Sequence, residues 1–154
     1  MHRIEDLDLP PLMQVGFGVR DARATADFYS ETFGLGPFEF QEARLDGDYE
    51  YEGAASSCIL YIATCQSADV QLEFIEVLEG KHPCGTFVER FGEGINHLAF
   101  EVEDLDSVRA HLQARDRSLV AQGSVTLESQ QSLRYAWFDG SAPALPLFEF
   151  FEYS

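Results

Sequence analysis

Two segments of this 154-residue chain repeat one local pattern, and this repeat constrains the fold more than any other feature. "MQVGFGVRDARATADFYSETFG" aligns with "NHLAFEVEDLDSVRAHLQARD" and places Gln14 on His97 and Asp21 on Asp104, at one offset (97 − 14 = 83). Each copy is a short run of alternating apolar residues, then an aspartate, then a helical pattern. Either aspartate is suited to cap a helix, because its carboxylate accepts bonds from the free N–H groups of the first turn.

The ends of the two halves also match. "VQLEFIEV" at 70–77 aligns with "PLFEFFEY" at 146–153, which places Glu73 on Glu149. Strand-like runs lie between, namely "FEFQEARL", "SSCILYIATC", "SLVAQGSVTL" and "SLRYAWFDG". The chain therefore predicts an α+β fold of two βαβββ modules packed as one domain. Its predicted parts are an N-terminal arm (1–11), a first module (12–78), a connector with one helical turn (79–94) and a second module (95–153).

Composition excludes several classes of function. A net charge of −17 repels phosphate backbones, so we expect no nucleic-acid partner. No apolar run approaches the roughly 20 residues of a membrane span. The N-terminus has acidic residues and prolines where a secretory signal would be apolar, which predicts a cytoplasmic protein. We also expect His82 at the surface and Cys84 in a loop, where it would be the one reactive thiol.

Alternation assigns the polar strand residues to one face of the sheet. His97 shares a face with Ala99 and Glu101, opposite the apolar residues that would contact the helix. Gln14 shares the equivalent face with Gly16 and Gly18, which leave space. Glu73 and Glu149 occupy the same phase in the last strand of each half, and Glu149 has apolar neighbours on both sides.

Carboxylates in such surroundings require a positive partner. The chain has only ten Lys and Arg residues, and a divalent metal would supply that charge. Gln14, Glu73, His97 and Glu149 would then be its four ligands, a mixed N/O set with room for two waters. Two other interpretations stay open at this point: a strand histidine is often structural, and Gln14 could form hydrogen bonds in a cleft without metal.

The chain resembles the vicinal oxygen chelate superfamily, which includes glyoxalase I, methylmalonyl-CoA epimerase, extradiol dioxygenases and bleomycin-resistance proteins. "VGFGVRDARATADFYSETFGLGPF", "VQLEFIEVLEG" and "GEGINHLAFEVEDLD" carry the resemblance, from about Leu12 to Tyr153. It is greatest to the glyoxalase and methylmalonyl-CoA epimerase-like branch. The resemblance implies curled mixed sheets that enclose a cleft, with metal ligands at Gln14, Glu73, His97 and Glu149. Many relatives have histidine where this chain has Gln14, but Gln, Glu, His, Glu is the set of zinc-type glyoxalase I.

The resemblance also implies a chemistry. One divalent ion (Zn, Ni, Co, Mn or Mg) would stabilise an enediolate or enolate while a carboxylate moves the adjacent proton. We assign Glu149 as general base and Glu73 as the group on the opposite face. A metal-dependent isomerase or epimerase of a small-molecule substrate is the first hypothesis, and a homodimer is expected by analogy. The alternatives are a glyoxalase I-type lyase and a non-catalytic binding protein of the bleomycin-resistance type, whereas dioxygenase chemistry is disfavoured because only one histidine is in position.

Overall fold

The computed structural model describes residues 7–154, and within that range the chain forms three helices and ten strands. The helices are α1 Ala22–Phe33, α2 Pro83–Phe91 and α3 Leu105–Gln113. The strands are β1 Gln14–Gly18, β2 Glu39–Leu45, β3 Tyr49–Tyr51, β4 Ala54–Ala55, β5 Cys58–Ser67, β6 Val70–Gly80, β7 Gly94–Glu101, β8 Leu119–Thr126, β9 Ser132–Phe138 and β10 Leu147–Tyr153.

The predicted duplication is present as two βαβββ units. The first unit is β1–α1–β2–β5–β6 and the second is β7–α3–β8–β9–β10. They join in one mixed sheet of ten strands, in the order β2-β5-β6-β1-β7-β10-β9-β8-β3-β4. In each unit the first and last strands pair in parallel, and the two first strands pair antiparallel with each other at the centre. The α+β fold predicted from the repeat is confirmed.

A hairpin of β3 and β4 interrupts the first unit and joins it to the second. Strand β3 leaves its own unit and pairs antiparallel with β8. The hydroxyl of Tyr49, a buried residue, donates to the Lys81 carbonyl at 2.8 Å. The hairpin therefore links the far edge of the second unit to the connector.

The predicted helix caps are present. The side chain of Asp21 accepts from the Ala24 N–H at 2.8 Å, and Asp104 accepts from the Ser107 N–H at 3.0 Å. Helix α1 ends at Gly34 in the left-handed region, where glycine costs nothing sterically. Both caps stand directly after the central strands, so each helix turns back over its own unit.

Helices α1 and α3 lie on the face of the sheet opposite the polar residues, as alternation predicts. Helix α1 packs over Val19 and Phe74, and helix α3 packs over Phe100 and Phe150. The other face has its own apolar cluster, which includes Ala99, Trp137 and Phe151 and also takes in Cys84 of the connector.

The connector contains a full helix instead of the single turn expected. Helix α2 packs against β1, β6 and β7 and starts with His82 as its N-cap, whose Nδ1 accepts from the Cys84 N–H at 3.1 Å. Two expectations are therefore wrong: His82 is only 4% exposed, and Cys84 is fully buried on a helix. Burial raises the pKa of the Cys84 thiol well above its usual range, which keeps it protonated and unreactive.

None of the helices in residues 7–154 has both the length and the apolar character to cross a membrane. The first six residues of the predicted N-terminal arm lie outside the described residues. Leu7 of its remainder packs against the apolar cluster beneath α3, as does Leu12, the first residue of the predicted first module.

The buried His82 predicts a loss of stability in mild acid. Burial, with a contribution from His97, lowers the pKa of His82 from 6.5 to about 3 in the folded protein. Below pH 6.5, His82 is protonated in the unfolded chain but stays neutral in the folded one. The free energy of unfolding therefore falls by about 1.4 kcal/mol per pH unit until the pKa of the folded state is reached. His82→Asn keeps a capping acceptor and should lose about 2 kcal/mol less than the wild type between pH 7 and pH 5.

Urea denaturation with EDTA present measures this difference. The two proteins are first compared at pH 8, where neither state carries a charge at His82, to separate the packing cost of the substitution. Equal losses on acidification would show that His82 titrates normally in the folded state.

Candidate functional site

Strand register places the four candidate residues in two adjacent rows on one face of the sheet. One row runs across β6, β1 and β7 through Glu73, Gly16 and His97. The next row runs across β6, β1, β7, β10 and β9 through Gln71, Gln14, Ala99, Glu149 and Trp137. Rows two residues apart present side chains on the same face, so the two halves of the repeat deliver their polar residues to one place.

Small residues between the candidates let their side chains meet. A methyl group at Gly16 would lie 1.8 Å from Cε1 of His97, so the imidazole lies directly over the glycine and extends towards Glu73. Ala99 is fully buried between Gln14 and Glu149, and its short side chain leaves room for both. The imidazole ring of His97 thus occupies part of the space that the sequence predicts beside Gly16.

The structure brings all four candidate residues together around one atom. The Nε2 atom of His97 lies 3.2 Å from Gln14 Oε1, 3.3 Å from Glu73 Oε1 and 3.5 Å from Glu149 Oε2. His97 is completely buried, while the side chains of Glu73 and Glu149 are 14% and 15% exposed. A small molecule would therefore reach the carboxylates before the imidazole.

Gln71 orients Gln14, and sequence reasoning did not select it. The Gln14 amide donates from Nε2 to Gln71 Oε1 at 2.7 Å, which turns Gln14 Oε1 towards His97. Gln71 lies two residues before Glu73 in the same phase, so its face was readable from the sequence. Its role was not, because only the pairing of β1 with β6 places it opposite Gln14.

Asn96 is a second residue that sequence reasoning missed. The pairing of β1 with β7 shifts between Gly16, opposite His97, and Phe17, opposite Ile95, which leaves Asn96 without a partner in a β-bulge. Its side chain is buried, and its Oδ1 lies 3.1 Å from His97 Nδ1. Regular alternation would send Asn96 to the opposite face from His97, so the sequence carried no signal for this contact.

Trp137 forms one wall of the site. Its ring centroid lies 4.3 Å from that of His97, and its indole N–H donates to Glu149. Burial raises the pKa of Glu149 to about 7; nearby Glu73 adds to the rise, while the charge of His97 and the Trp137 hydrogen bond oppose it. The site thus holds one carboxyl group whose affinity for a proton is far above that of an ordinary glutamate.

The donor set fits a divalent cation in its chemistry. Two carboxylates, an amide oxygen and an imidazole nitrogen are typical ligands of Zn²⁺ and related ions. Within residues 7–154, neither Glu73 nor Glu149 forms an ion pair with a lysine or arginine, so neither carboxylate has a permanently charged cation beside it.

The four candidate side chains nevertheless contact one another directly, without space for an ion between them. In the described part of the chain, no group of three or more His, Cys, Asp and Glu side chains is placed so that it could hold a metal ion. The carboxylates and the Gln14 amide contact the imidazole directly, so a cation would have to separate them slightly in order to bind.

Comparison with known proteins identifies relatives with this architecture. The sequence model of the Glyoxalase/Bleomycin resistance protein/Dioxygenase superfamily matches residues 13–135. The chain is 28% identical over 127 residues to 4-hydroxyphenylpyruvate dioxygenases of Caenorhabditis elegans and Caenorhabditis briggsae, covering 79% of this chain and 29% of each relative. The chain therefore spans under a third of the length of the curated relatives it matches.

Solved structures share the fold at low sequence identity. Methylmalonyl-CoA epimerase from Streptomyces coelicolor superposes with a TM-score of 0.64 at 19% identity, covering 94% of this chain and 95% of that one. Methylmalonyl-CoA epimerase from Mycobacterium tuberculosis superposes with a TM-score of 0.60 at 19% identity, covering 98% of this chain and 95% of that one. 4-Hydroxymandelate synthase from Streptomyces coelicolor gives 0.64 at 16% identity, covering 95% of this chain and 48% of that one.

Gly16 should be the least replaceable small residue of the site. Gly16→Ala would force the imidazole of His97 off the strand or push β1 from β7, and overpacking of this kind costs about 1–3 kcal/mol of unfolding free energy. Gly94→Ala in β7 is the matched control, since its added methyl would meet only the Phe87 ring, at 3.5 Å. Urea denaturation should give the large loss for Gly16→Ala alone, and equal losses would contradict the packing described for His97.

Proposed function

The chain belongs to the glyoxalase/bleomycin resistance protein/dioxygenase superfamily, and on that premise we propose that it is a metal-dependent isomerase or epimerase. It would remove a proton from a carbon next to a carbonyl group of a small molecule. The convergence of Gln14, Glu73 and Glu149 on Nε2 of His97 is the observation that carries the proposal. The predicted homodimer and cytoplasmic location belong to the same proposal.

Gln14, Glu73, His97 and Glu149 would hold the ion. When bound, a divalent ion supplies Lewis-acid stabilisation of the negative charge that develops on a carbonyl oxygen, which is worth several kcal/mol. Buried His97 would be the fixed ligand, and the two partly exposed carboxylates would border the space open to a substrate.

Glu149 would accept the proton. It reaches the site from β10 and Glu73 reaches it from β6, so the two carboxylates flank the central β1–β7 pair from opposite sides. A substrate bound between them would present its two faces to different carboxylates, which is the arrangement that inversion at a carbon centre needs. Trp137 would hold the Glu149 carboxylate in place by its N–H and would keep water from that side of the site.

Charged groups elsewhere in the chain favour a substrate without phosphate groups. Arg20 pairs with Glu93, Arg23 lies over Phe40 and donates to Tyr61, and Arg134 pairs with Asp106. These arginines are engaged away from the four candidate ligands. A 2-hydroxyketone or a cyclitol ketone suits such a site better than a coenzyme A thioester or a glutathione adduct.

The alternatives differ in what the site must do. A glyoxalase I-type lyase would use the same carboxylates to move a proton between adjacent carbons. Oxygenase chemistry, as in the names of the curated relatives, is not proposed, because non-haem iron oxygenases typically use two histidines and one carboxylate and this set has one histidine. A binding protein without turnover is the second candidate, favoured by the closed contacts between His97 and its three neighbours.

Metal content separates the enzyme from the binding protein. Protein purified without chelator should contain one divalent ion per chain, measured by elemental analysis. Glu73→Gln should weaken binding at least tenfold because it removes a charged ligand, whereas Glu76→Gln is the matched control on the same strand but the opposite face. Wild-type protein that takes up no metal from a stoichiometric supply would favour the binding protein.

Glu149→Gln tests the general base. The amide keeps an oxygen donor and the shape of the side chain but cannot take a proton, so turnover should fall at least a hundredfold in metal-loaded protein. NMR can follow exchange of substrate C–H protons in D2O over a panel of ketones and thioesters, with Glu76→Gln again as control. Full exchange by metal-loaded Glu149→Gln would assign the base to another residue.

A further inference from the structure

We propose that Asn96 is a positioning residue that holds His97 with its proton on Nδ1, so that the Nε2 lone pair faces Gln14, Glu73 and Glu149. The inference rests on the proposed function in treating Nε2 as the atom that binds a cation. The side chain of Asn96 forms hydrogen bonds with Pro83, Cys84 and His97, and it acts on the site through His97.

The β-bulge in β7 lies at Asn96 and makes its contact with His97 possible. It adds a residue to β7 directly before His97 and turns two consecutive side chains, Asn96 and His97, to the same face. Both are almost completely buried, so no water competes for the bond between them. Bulges next to active sites commonly redirect a side chain in this way.

Two contacts from α2 fix which end of the Asn96 amide faces His97. The amide nitrogen Nδ2 donates to the Pro83 carbonyl at 3.5 Å, and the amide oxygen Oδ1 accepts from the Cys84 thiol at 3.2 Å. The thiol is protonated, because burial keeps its pKa high, and therefore acts as the donor. A flipped amide would set its oxygen against the Pro83 carbonyl, so the oxygen remains on the His97 side.

The orientation of the amide decides the position of the imidazole proton. Asn96 Oδ1 lies 3.1 Å from Nδ1 and is an acceptor, so Nδ1 carries hydrogen and donates. The opposite tautomer would bring two lone pairs together inside the protein. The Nε2 lone pair then faces three oxygen atoms, and a cation between them would bind it, as in metal-ligating histidines whose other N–H donates to a fixed acceptor.

This network accounts for the buried polar groups of the connector. His82 caps α2 through the Cys84 N–H, and Pro83 and Cys84 hold the Asn96 amide. Helix α2 thus determines which ring nitrogen of His97 carries hydrogen, although it contributes no ligand itself.

Metal affinity of two Asn96 variants tests the proposal. Asn96→Asp keeps an oxygen acceptor opposite Nδ1, and its second oxygen can donate to the Pro83 carbonyl in the protonated form that burial favours. Asn96→Leu has a similar shape and no acceptor. Zn²⁺ affinity is measured by competition with a chromophoric chelator, on variants whose circular dichroism shows the wild-type fold. Asn96→Leu should bind Zn²⁺ 10–100-fold more weakly than the wild type, and Asn96→Asp should stay within about threefold of it.

A spectroscopic readout accompanies the affinity. Proton–nitrogen NMR of histidine-labelled, Zn²⁺-loaded protein should show a slowly exchanging Nδ1–H for His97 in the wild type and in Asn96→Asp, and a fast-exchanging one in Asn96→Leu. If Asn96→Leu does not fold, Cys84→Ala replaces it, with Cys84→Ser as the variant that restores a donor to Oδ1. Cys84→Ala should then weaken Zn²⁺ binding by at least threefold.

The outcomes separate this inference from the proposed function. Wild-type protein that binds no Zn²⁺ would end the proposed function. Wild-type protein that binds Zn²⁺ with the same affinity as Asn96→Leu, or as Cys84→Ala in its place, would overturn the role of Asn96 alone. Equal weakening in Asn96→Leu and Asn96→Asp would also overturn it, because the amide would then serve only the packing.

Discussion

The antiparallel contact of β1 with β7, with the His97 imidazole lying over Gly16, is the interaction on which the rest of the site depends. It joins the first strands of the two units and places the ring at the centre of a ten-stranded sheet. Glu73 and Glu149 reach that ring because each lies on a last strand that pairs in parallel with its own first strand. Without the glycine there would be no space for the imidazole between them.

Electrostatics and burial act against each other in this arrangement. Two carboxylates beside one buried imidazole are costly, and the raised pKa of Glu149 reflects that cost. The protein keeps the cluster in place with neutral groups: Gln71 orients Gln14, Trp137 donates to Glu149, and Asn96 contacts His97. Groups that orient polar side chains without adding charge are compatible with the positive charge that the proposed ion would bring.

The repeat in the sequence was enough to predict much of this protein. Strand–helix patterns at 14–33 and 97–112, with their aspartate caps, predicted the two units and the face on which the polar residues lie. The same phase predicted which four side chains would approach one another, and the structure places the other three around His97 Nε2. These features follow from local rules, since alternation and helix capping depend only on near neighbours.

The structure alone decided the surroundings of those four residues. The bulge at Asn96 breaks alternation, the length of α2 exceeds the turn expected for the connector, and His82 and Cys84 are buried where surface positions were expected. Each of these depends on strands and helices far apart in the chain packing on one face of the sheet. The sequence by itself thus determined the duplicated fold and its polar face. Tertiary packing determined how each polar side chain is oriented and which groups it forms hydrogen bonds with.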